Sequence, residues 1–350
     1  MFDRLMDLDL DFSLAAWAPG PDPIFIFLFA VALDAVLGSL LRRLPLPHPD
    51  RFITAFTFWL ERRLNRDMRS PATRLIRGLI LVLVLLAVGG GLAAAVSFAA
   101  ATLPFGWIIA LAVLLAFITQ NRPFGAAREA ARRAAGKRGP GGKELEVRSP
   151  VLTARKLSKG FSRDPHAVAR GAVEHLAGRF SEGLIAESFW FVLLGLPGII
   201  LYRTINVCGE VLDDALPRRE QFGFAATRLN EAVTFLPARL AALLLSLAAL
   251  FVAGARPLRA LAAMSDSGRG SASRGIAWPI AAAAGALDLS LSGPPLAAEG
   301  PERTWRWIGP KGGRARATAL DVHRGLFLYA VGCVLNVVLL LLIVIGSSLI

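Results

Sequence analysis

Residues 326–350 read LFLYAVGCVLNVVLLLLIVIGSSLI, a run of 25 residues without one charged side chain. A helix needs about 20 consecutive apolar residues to cross a bilayer, so this run predicts a membrane-spanning helix. The rest of the chain agrees with it: 55% of the 350 residues are hydrophobic, only 19% are charged, and the mean hydropathy is +0.54. This composition excludes an ordinary soluble protein and predicts an all-α, polytopic membrane protein.

Further apolar runs occupy residues 24–41, 78–103, 105–119, 184–201 and 235–253. The second and third of these runs predict a helical hairpin that turns at Leu103-Pro104-Phe105. Gly195, Pro197 and Gly198 interrupt the run 184–201 and permit a re-entrant segment, because irregular backbone is tolerated where it lines a cavity. The segment 276–293 is rich in small residues and can be buried in protein instead of facing lipid. We therefore predict about five spans with one re-entrant segment.

Membrane orientation explains the net charge of +13, because basic loops mark the cytoplasmic side. Residues 42–74 carry eight arginines against three acids, and residues 120–183 carry fourteen basic residues against six acids, so both are expected in the cytoplasm, as are 254–275 and 294–325. Residues 1–23 carry five aspartates and one arginine, which predicts an outside N-terminus. The chain divides into this acidic segment, a first transmembrane section (24–119), a basic loop with a Gly-rich linker (120–183) and a second transmembrane section (184–350).

Several functions are excluded by missing motifs. Cys208 and Cys333 are the only cysteines, and neither has a second thiol or a histidine at ligand spacing, which argues against zinc, iron–sulfur and redox sites. The sequence has no P-loop, no His-Glu-x-x-His and no Gly-x-Ser-x-Gly. No recognition motif accompanies the basic loops, so contact with lipid headgroups is favoured over nucleic-acid binding.

Ionisable residues in or beside apolar runs are costly and point to functional sites. Asp34 lies inside the first run. His48 follows a proline-rich turn, which either presents it to a pocket or leaves it in solvent. Glu174 and His175 can act as acid or base and Arg179 can hold an anion, but an amphipathic helix with a wet charged face, ended by Gly183, is the favoured interpretation.

The segment 203–239 carries a second set of polar residues. Arg228 and Glu231 are three residues apart, so they share one face of a helix and can pair. Arg239 lies at the start of the run 235–253. It either faces a cavity and binds a phosphate or carboxylate, or anchors the chain to lipid headgroups.

The order of these residues resembles the CobD/CbiB family of membrane-bound cobalamin biosynthesis proteins. The elements that carry the likeness are Leu33-Asp34, Gly38, His48-Pro49, Tyr202 with Asn206, Phe222-Gly223, Arg228-Leu229 and Pro237-Ala-Arg239-Leu240. The last element is the most specific, and the likeness covers about residues 24 to 345. The resemblance implies an adenosylcobinamide-phosphate synthase in the bacterial inner membrane. Such an enzyme joins an aminopropanol phosphate to a propionate carboxyl of a corrinoid as an amide, with ATP and Mg²⁺ as cofactors, as a monomer or in a homo- or hetero-oligomer.

The resemblance also implies roles for particular residues. Glu174, Glu182 and Glu231 are expected to act as base or bind metal, with Mg²⁺ at Glu182 and Glu231. The residues expected to bind substrate are Asp34, His48, Arg203, Asn206, Arg228 and Arg239. Among them, the arginines would hold phosphates or corrin carboxylates, and Asn206 would orient the amide oxygen.

This sequence departs from the family pattern at several polar positions. Gly178-Arg179 stands where the family has Glu-Asn, Gly209 where it has Asp, and Asn230-Glu231 where it has Asp-Asp. Glu182, Glu210 and Glu231 lie at or next to the altered positions and can compensate. Two hypotheses follow: an amide-forming enzyme, or a diverged membrane paralogue without that chemistry, acting as an accessory, partner or sensor-like protein.

Overall fold

The computed structural model describes residues 23–41, 48–66, 70–118, 120–135, 164–213, 220–270, 275–293 and 307–348. The predicted acidic segment up to residue 22 and most of the Gly-rich linker lie outside these ranges. Within them the chain forms helices, with isolated bridges at 289–314 and 291–308 but no β-strand. The helices are α1 (Pro23–Leu41), α2 (Pro49–Leu64), α3 (Pro71–Thr102), α4 (Gly106–Phe117), α5 (Asn121–Ala134), α6 (Pro165–Phe180), α7 (Ala186–Leu212), α8 (Phe224–Ala248), α9 (Pro257–Gly270), α10 (Ala277–Leu287) and α11 (Ala319–Ser348).

Five helical segments of the described chain are long and apolar enough to cross a membrane. They are Pro71–Thr102, Gly106–Arg132, Pro165–Leu212, Phe224–Phe251 and Ala319–Gly346. Large apolar side chains on α3 and α11, such as Leu83 and Leu342, are more than half exposed, as expected for helices that face lipid. This confirms the predicted all-α, multi-pass membrane fold.

The predicted hairpin between α3 and α4 is confirmed. Its turn falls at Leu103, Pro104 and Phe105, and Phe105 adopts a left-handed φ of 63°. Helix α3 runs without a break through the three consecutive glycines 89–91. Gly89 packs against the side chain of Thr204 on α7.

A chain reversal inside α7 positions the polar residues discussed below. Gly195 has φ 65° and ψ −147°, a conformation that is essentially restricted to glycine. After it, Arg203 Nη1 lies 3.7 Å from Glu187 Oε1, whereas sixteen residues of straight helix would separate the two positions by about 24 Å. We call residues 165–212 the fold-back, with an N-terminal arm (165–194) and a C-terminal arm (196–212). Its reversal falls at the first of the residues that predicted a re-entrant segment.

The prediction that Gly183 ends an amphipathic helix is wrong. Residues Ser181–Ile185 form a π-helical turn that joins α6 directly to α7. Glu174 is 5% and Glu182 is 7% exposed, so neither lies on a wet face. Packing overrides the local glycine preference here, because the Tyr202 hydroxyl donates to the Glu182 carbonyl at 3.0 Å and Phe180 stacks edge-on against Tyr329.

Helices α9 and α10 form a second tight hairpin. Every residue of α10 except Trp278 is buried, which confirms that the small-residue segment around it packs against protein. A Cβ on Gly285 would lie 2.4 Å from the Arg259 carbonyl, so the close approach requires glycine. Asp288 ends α10 in a left-handed conformation and pairs with Arg256 and Arg259 at 3.2 and 2.6 Å.

Candidate functional site

A buried ion-pair network joins α2 to both arms of the fold-back. Arg203, 2% exposed, donates from Nε to Asp50 Oδ1 at 2.8 Å and from Nη2 to Asp50 Oδ2 at 2.5 Å. Its Nη1 donates to Asn206 Oδ1 at 3.3 Å and lies 3.7 Å from Glu187 Oε1. The two parallel bonds to Asp50 are the strong, planar form of an arginine–carboxylate pair. Arg203 therefore links the C-terminal arm of the fold-back to the start of α2 through the Asp50 carboxylate.

His48 and Asp50 form the N-terminus of α2. His48 is the N-cap residue, and its Nδ1 accepts from the Asp50 amide at 3.2 Å and lies 3.3 Å from Asp50 Oδ2. Burial alone would raise the pKa of Asp50, but the charge of Arg203 and its hydrogen bonds to the Asp50 carboxylate outweigh this effect and hold that pKa well below its usual range. Asp50 is therefore ionised at neutral pH.

Two further glutamates face each other across the fold-back. Glu182 lies in the π-helical turn, and its carboxylate interacts with that of Glu210 on the C-terminal arm, with Arg179 and Arg203 nearby. Arg179 Nη1 lies 3.9 Å from Glu210 Oε1. Glu182 Oε2 and Glu210 Oε1 are buried and make no hydrogen bond within the described ranges. Turns of the π type occur frequently at functional sites.

Glu187 and Asp34 complete the group. Glu187 is 0% exposed, and it interacts electrostatically with Arg203, Asp50, Arg179 and Asp34. Asp34 Oδ2 accepts from the Asn121 amide at 3.1 Å. We call Asp34, Asp50, Glu182, Glu187 and Glu210 the carboxylate cluster. Among the described residues, Arg203 and Arg179 bring guanidinium groups to this cluster: Arg203 Nη1 lies 3.7 Å from Glu187 Oε1, and Arg179 Nη1 lies 3.9 Å from Glu210 Oε1.

The predicted residues of α8 lie beside the cluster. Asn206 Nδ2 donates to Asn230 Oδ1 at 3.3 Å, which links the C-terminal arm to α8. Arg228 Nη1 bonds Glu231 Oε2 at 2.8 Å, so the predicted pair on one helix face forms. The Arg228 side chain is 59% exposed, and the roles predicted for this pair in binding stay predictions.

Glu174 and Arg239 lie in other surroundings. Glu174 Oε1 accepts from the Ser292 amide at 2.8 Å and so holds the chain that follows α10. The Arg239 guanidinium lies between the rings of Phe235 and Trp278, 3.4 and 4.2 Å from their centroids, and Nη1 donates to the Phe235 carbonyl. Such stacking fixes the plane of a guanidinium. The catalytic role of Glu174 and the substrate role of Arg239 stay predictions.

The donor set of Glu182 and Glu210 fits Mg²⁺, which proteins bind through one or two carboxylates together with waters and substrate phosphates. Both residues offer a buried oxygen without a hydrogen bond. Within the described ranges no three histidine, cysteine, aspartate or glutamate side chains come together as a complete metal site. The sequence predicted Mg²⁺ at Glu182 and Glu231. In the structure the carboxylate that interacts with Glu182 is Glu210, and Glu231 instead accepts a hydrogen bond from Arg228.

Sequence reasoning omitted Asp50 and Glu187 from the site. Asp50 follows His48-Pro49, and proline at the first helical position after a capping residue is a helix-start signal that would have placed it beside His48. Glu187 is a carboxylate inside an apolar run, which is itself a signal of function. Their meeting at Arg203 depends on the reversal at Gly195 and could not be read from spacing.

Comparison with known proteins gives consistent matches over most of the chain. A family model described as CobD/Cbib protein matches residues 27–329. The protein named cobalamin biosynthesis protein CobD is 31% identical in a Sinorhizobium species over 310 residues, which are 87% of this chain and 93% of that relative. The protein of the same name from Rhodobacter capsulatus is 33% identical over 310 residues, 86% and 90% of the two chains. No solved structure matches.

Proposed function

This chain belongs to the CobD/CbiB family of cobalamin biosynthesis proteins, and on that premise we propose that it is a membrane-bound amide-forming enzyme of the adenosylcobinamide-phosphate synthase type. Its substrates would be adenosylcobyric acid, through a propionate carboxyl, and an aminopropanol phosphate. We place it in the bacterial inner membrane, with its N-terminus outside and its substrates reaching it from the cytoplasm.

The observation that carries this proposal is the pairing of Glu182 with Glu210 between Arg179 and Arg203. Family carboxylates are missing at 178 and 209, yet the fold-back brings two other carboxylates together beside two guanidiniums. A site that joins an amine to a carboxyl in the presence of phosphates needs negatively charged side chains as well as positively charged ones. Carboxylates hold cations, and arginines hold the phosphate and carboxylate oxygens.

ATP and Mg²⁺ belong to this proposal as cofactors. ATP would supply the activation of the propionate carboxyl, with Mg²⁺ offsetting the phosphate charge. Glu182 and Glu210 would hold the metal. Arg203, already held in one plane by Asp50, would orient an anionic group of the substrate, and Asn206 would accept or donate at the forming amide. Asp34, on α1, would contribute a further negative charge near Glu187.

The test is rescue of a bacterial strain that lacks its own adenosylcobinamide-phosphate synthase and is fed cobyric acid. We expect this protein to restore cobalamin synthesis, and we expect Glu182→Gln to abolish the rescue. Glu220→Gln, at an exposed position, is the matched control and should rescue as the parent does. Absence of rescue by the parent, with normal membrane expression, would favour the accessory or sensor-like alternative.

A further inference from the structure

Glu187 is the carboxylate that the interactions described so far leave least satisfied. It is 0% exposed, and neither of its carboxylate oxygens makes a hydrogen bond within the described chain. The nearest cationic atom among the described residues is Arg203 Nη1 at 3.7 Å, beyond hydrogen-bond distance, and that guanidinium is already bonded to Asp50. A buried carboxylate without donors is costly, so this position is suited to a ligand that brings donors.

Arg179 has the complementary deficit. Its Nη1 is buried without a hydrogen-bond partner in the described residues, and the acid closest to it, Glu210 Oε1, lies 3.9 Å away. Arg179 is within electrostatic reach of Glu187. The same region therefore holds two acceptor atoms, the carboxylate oxygens of Glu187, and one donor atom, Nη1 of Arg179, none of which makes a hydrogen bond in the described chain. The ligand that complements both carries a positive and a negative group.

We propose that Glu187 binds the primary ammonium group of a ligand that also carries a phosphate, and that Arg179 binds an oxygen of that phosphate. This assignment rests on the proposed function and identifies where its amine substrate is recognised. An ammonium group has three N–H donors on one atom and forms charge-assisted bonds to carboxylates. An ammonium group can therefore donate hydrogen bonds to both oxygens of Glu187, which accept none in the described chain.

A divalent metal fits this position less well than an ammonium group. Mg²⁺ usually keeps several of its waters when a protein binds it, and Glu187, at 0% exposed, has no solvent-facing side on which to hold them. A protonated Glu187 would still leave its own O–H without an acceptor in the described structure. Because Glu187 is fully buried, binding requires the helices around it to separate, and slow association is expected.

The experiment is calorimetric titration of the full-length protein in detergent with two matched probes, aminopropanol phosphate and propanol phosphate, which lacks only the amine. We expect the parent to bind the amine-bearing probe at least about tenfold more tightly. Glu187→Gln should remove this preference without weakening the binding of propanol phosphate, because it takes away a carboxylate near the phosphate. Retained binding of propanol phosphate also verifies its folding. Glu220→Gln should behave as the parent does. Equal binding of both probes by the parent, binding of neither, or a preference kept by Glu187→Gln would overturn the assignment.

Two further readouts separate this assignment from the enzyme proposal. Amine selectivity that depends on Glu187 without any amide product would leave the subsite standing and refute the enzyme. If Glu187→Gln forms the amide with an unchanged KM for aminopropanol phosphate, the enzyme proposal stands and the ammonium subsite is refuted. If Glu187→Gln does not fold, N-acetylated aminopropanol phosphate on the parent decides: at least about tenfold weaker binding supports the ammonium subsite, and equal binding refutes it.

Discussion

Arg203 is the residue on which the ion-pair network depends, since it joins Asp50, Asn206 and Glu187 from a nearly unexposed position. Removing one partner of a buried network leaves uncompensated charges behind. The same change at an exposed pair has little effect, because water screens both charges. This contrast gives the network a direct test within one protein.

Arg203→Gln should lower the free energy of unfolding by about 3–5 kcal/mol, because Asp50 and Glu187 lose their buried cation. Arg228→Gln is the matched control, since its pair with Glu231 is 59% exposed on the arginine side, and it should cost at most about 1 kcal/mol. Denaturant unfolding in detergent micelles measures both. Equal losses for the two variants would mean that the Arg203 network does not stabilise the fold.

The lowered pKa of Asp50 predicts a pH dependence with a definite sign. A carboxylate whose folded pKa lies below its ordinary value of 3.8 contributes stability that is complete above that value and is lost as the pH falls toward the folded pKa. The stability difference between the parent and Asp50→Asn should therefore be present at about pH 5 and shrink as the pH falls below about pH 4. Unfolding measured across this range tests it, and a difference that vanishes near pH 6 would contradict it.

Among the structural elements, the fold-back determines which residues meet. Helix existence could be predicted from apolar runs, and Gly195 with Pro197 and Gly198 predicted a break. The π-helical turn at Ser181–Ile185 could not be predicted, because a glycine after a charged stretch ordinarily signals a helix end and only the contacts of Tyr202 and Phe180 reverse that preference.

Gly195→Ala should destabilise the protein by about 1–3 kcal/mol or more, because an alanine does not adopt φ 65° with ψ −147° without strain. It should also abolish the rescue of cobalamin synthesis, since the arms carrying Glu187 and Arg203 would part. Gly91→Ala is the control. Gly91 lies inside α3 with no atom within 4 Å of the added carbon, and this substitution should stabilise the helix by up to about 1 kcal/mol. Similar effects of the two substitutions on stability and rescue would refute the role of the reversal.

At the scale of the whole molecule, charge distribution predicts orientation and tertiary contact decides the site. Asp34, Glu182, Arg203 and Asn206 were expected from sequence, and the structure brings them into one region. Asp50 and Glu187 were missed because they are 137 residues apart in the chain and meet only through Arg203. Composition predicts a helical protein that spans a membrane, because lipid imposes the same requirement on every spanning helix, but it does not predict which helices are neighbours.

Orientation can be tested with single cysteines in a protein whose Cys208 and Cys333 are replaced. Phe105→Cys lies in the exposed turn between α3 and α4, and Lys311→Cys lies on an exposed turn before α11. The basic loops predict that an impermeant maleimide applied to intact spheroplasts labels position 105 at once and position 311 only after permeabilisation. The opposite pattern would invert the predicted topology.

The most direct test of the central claim is product formation by the purified protein. Adenosylcobyric acid, aminopropanol phosphate, ATP and Mg²⁺ are supplied, and adenosylcobinamide phosphate is measured by liquid chromatography with mass spectrometry. We predict amide product with the parent and with Glu220→Gln. With Glu182→Gln and with Glu210→Gln we predict that the rate of product formation falls by about tenfold to a hundredfold. No product from the folded parent, or full activity in both cluster variants, would contradict the assignment of the carboxylate cluster as the active site.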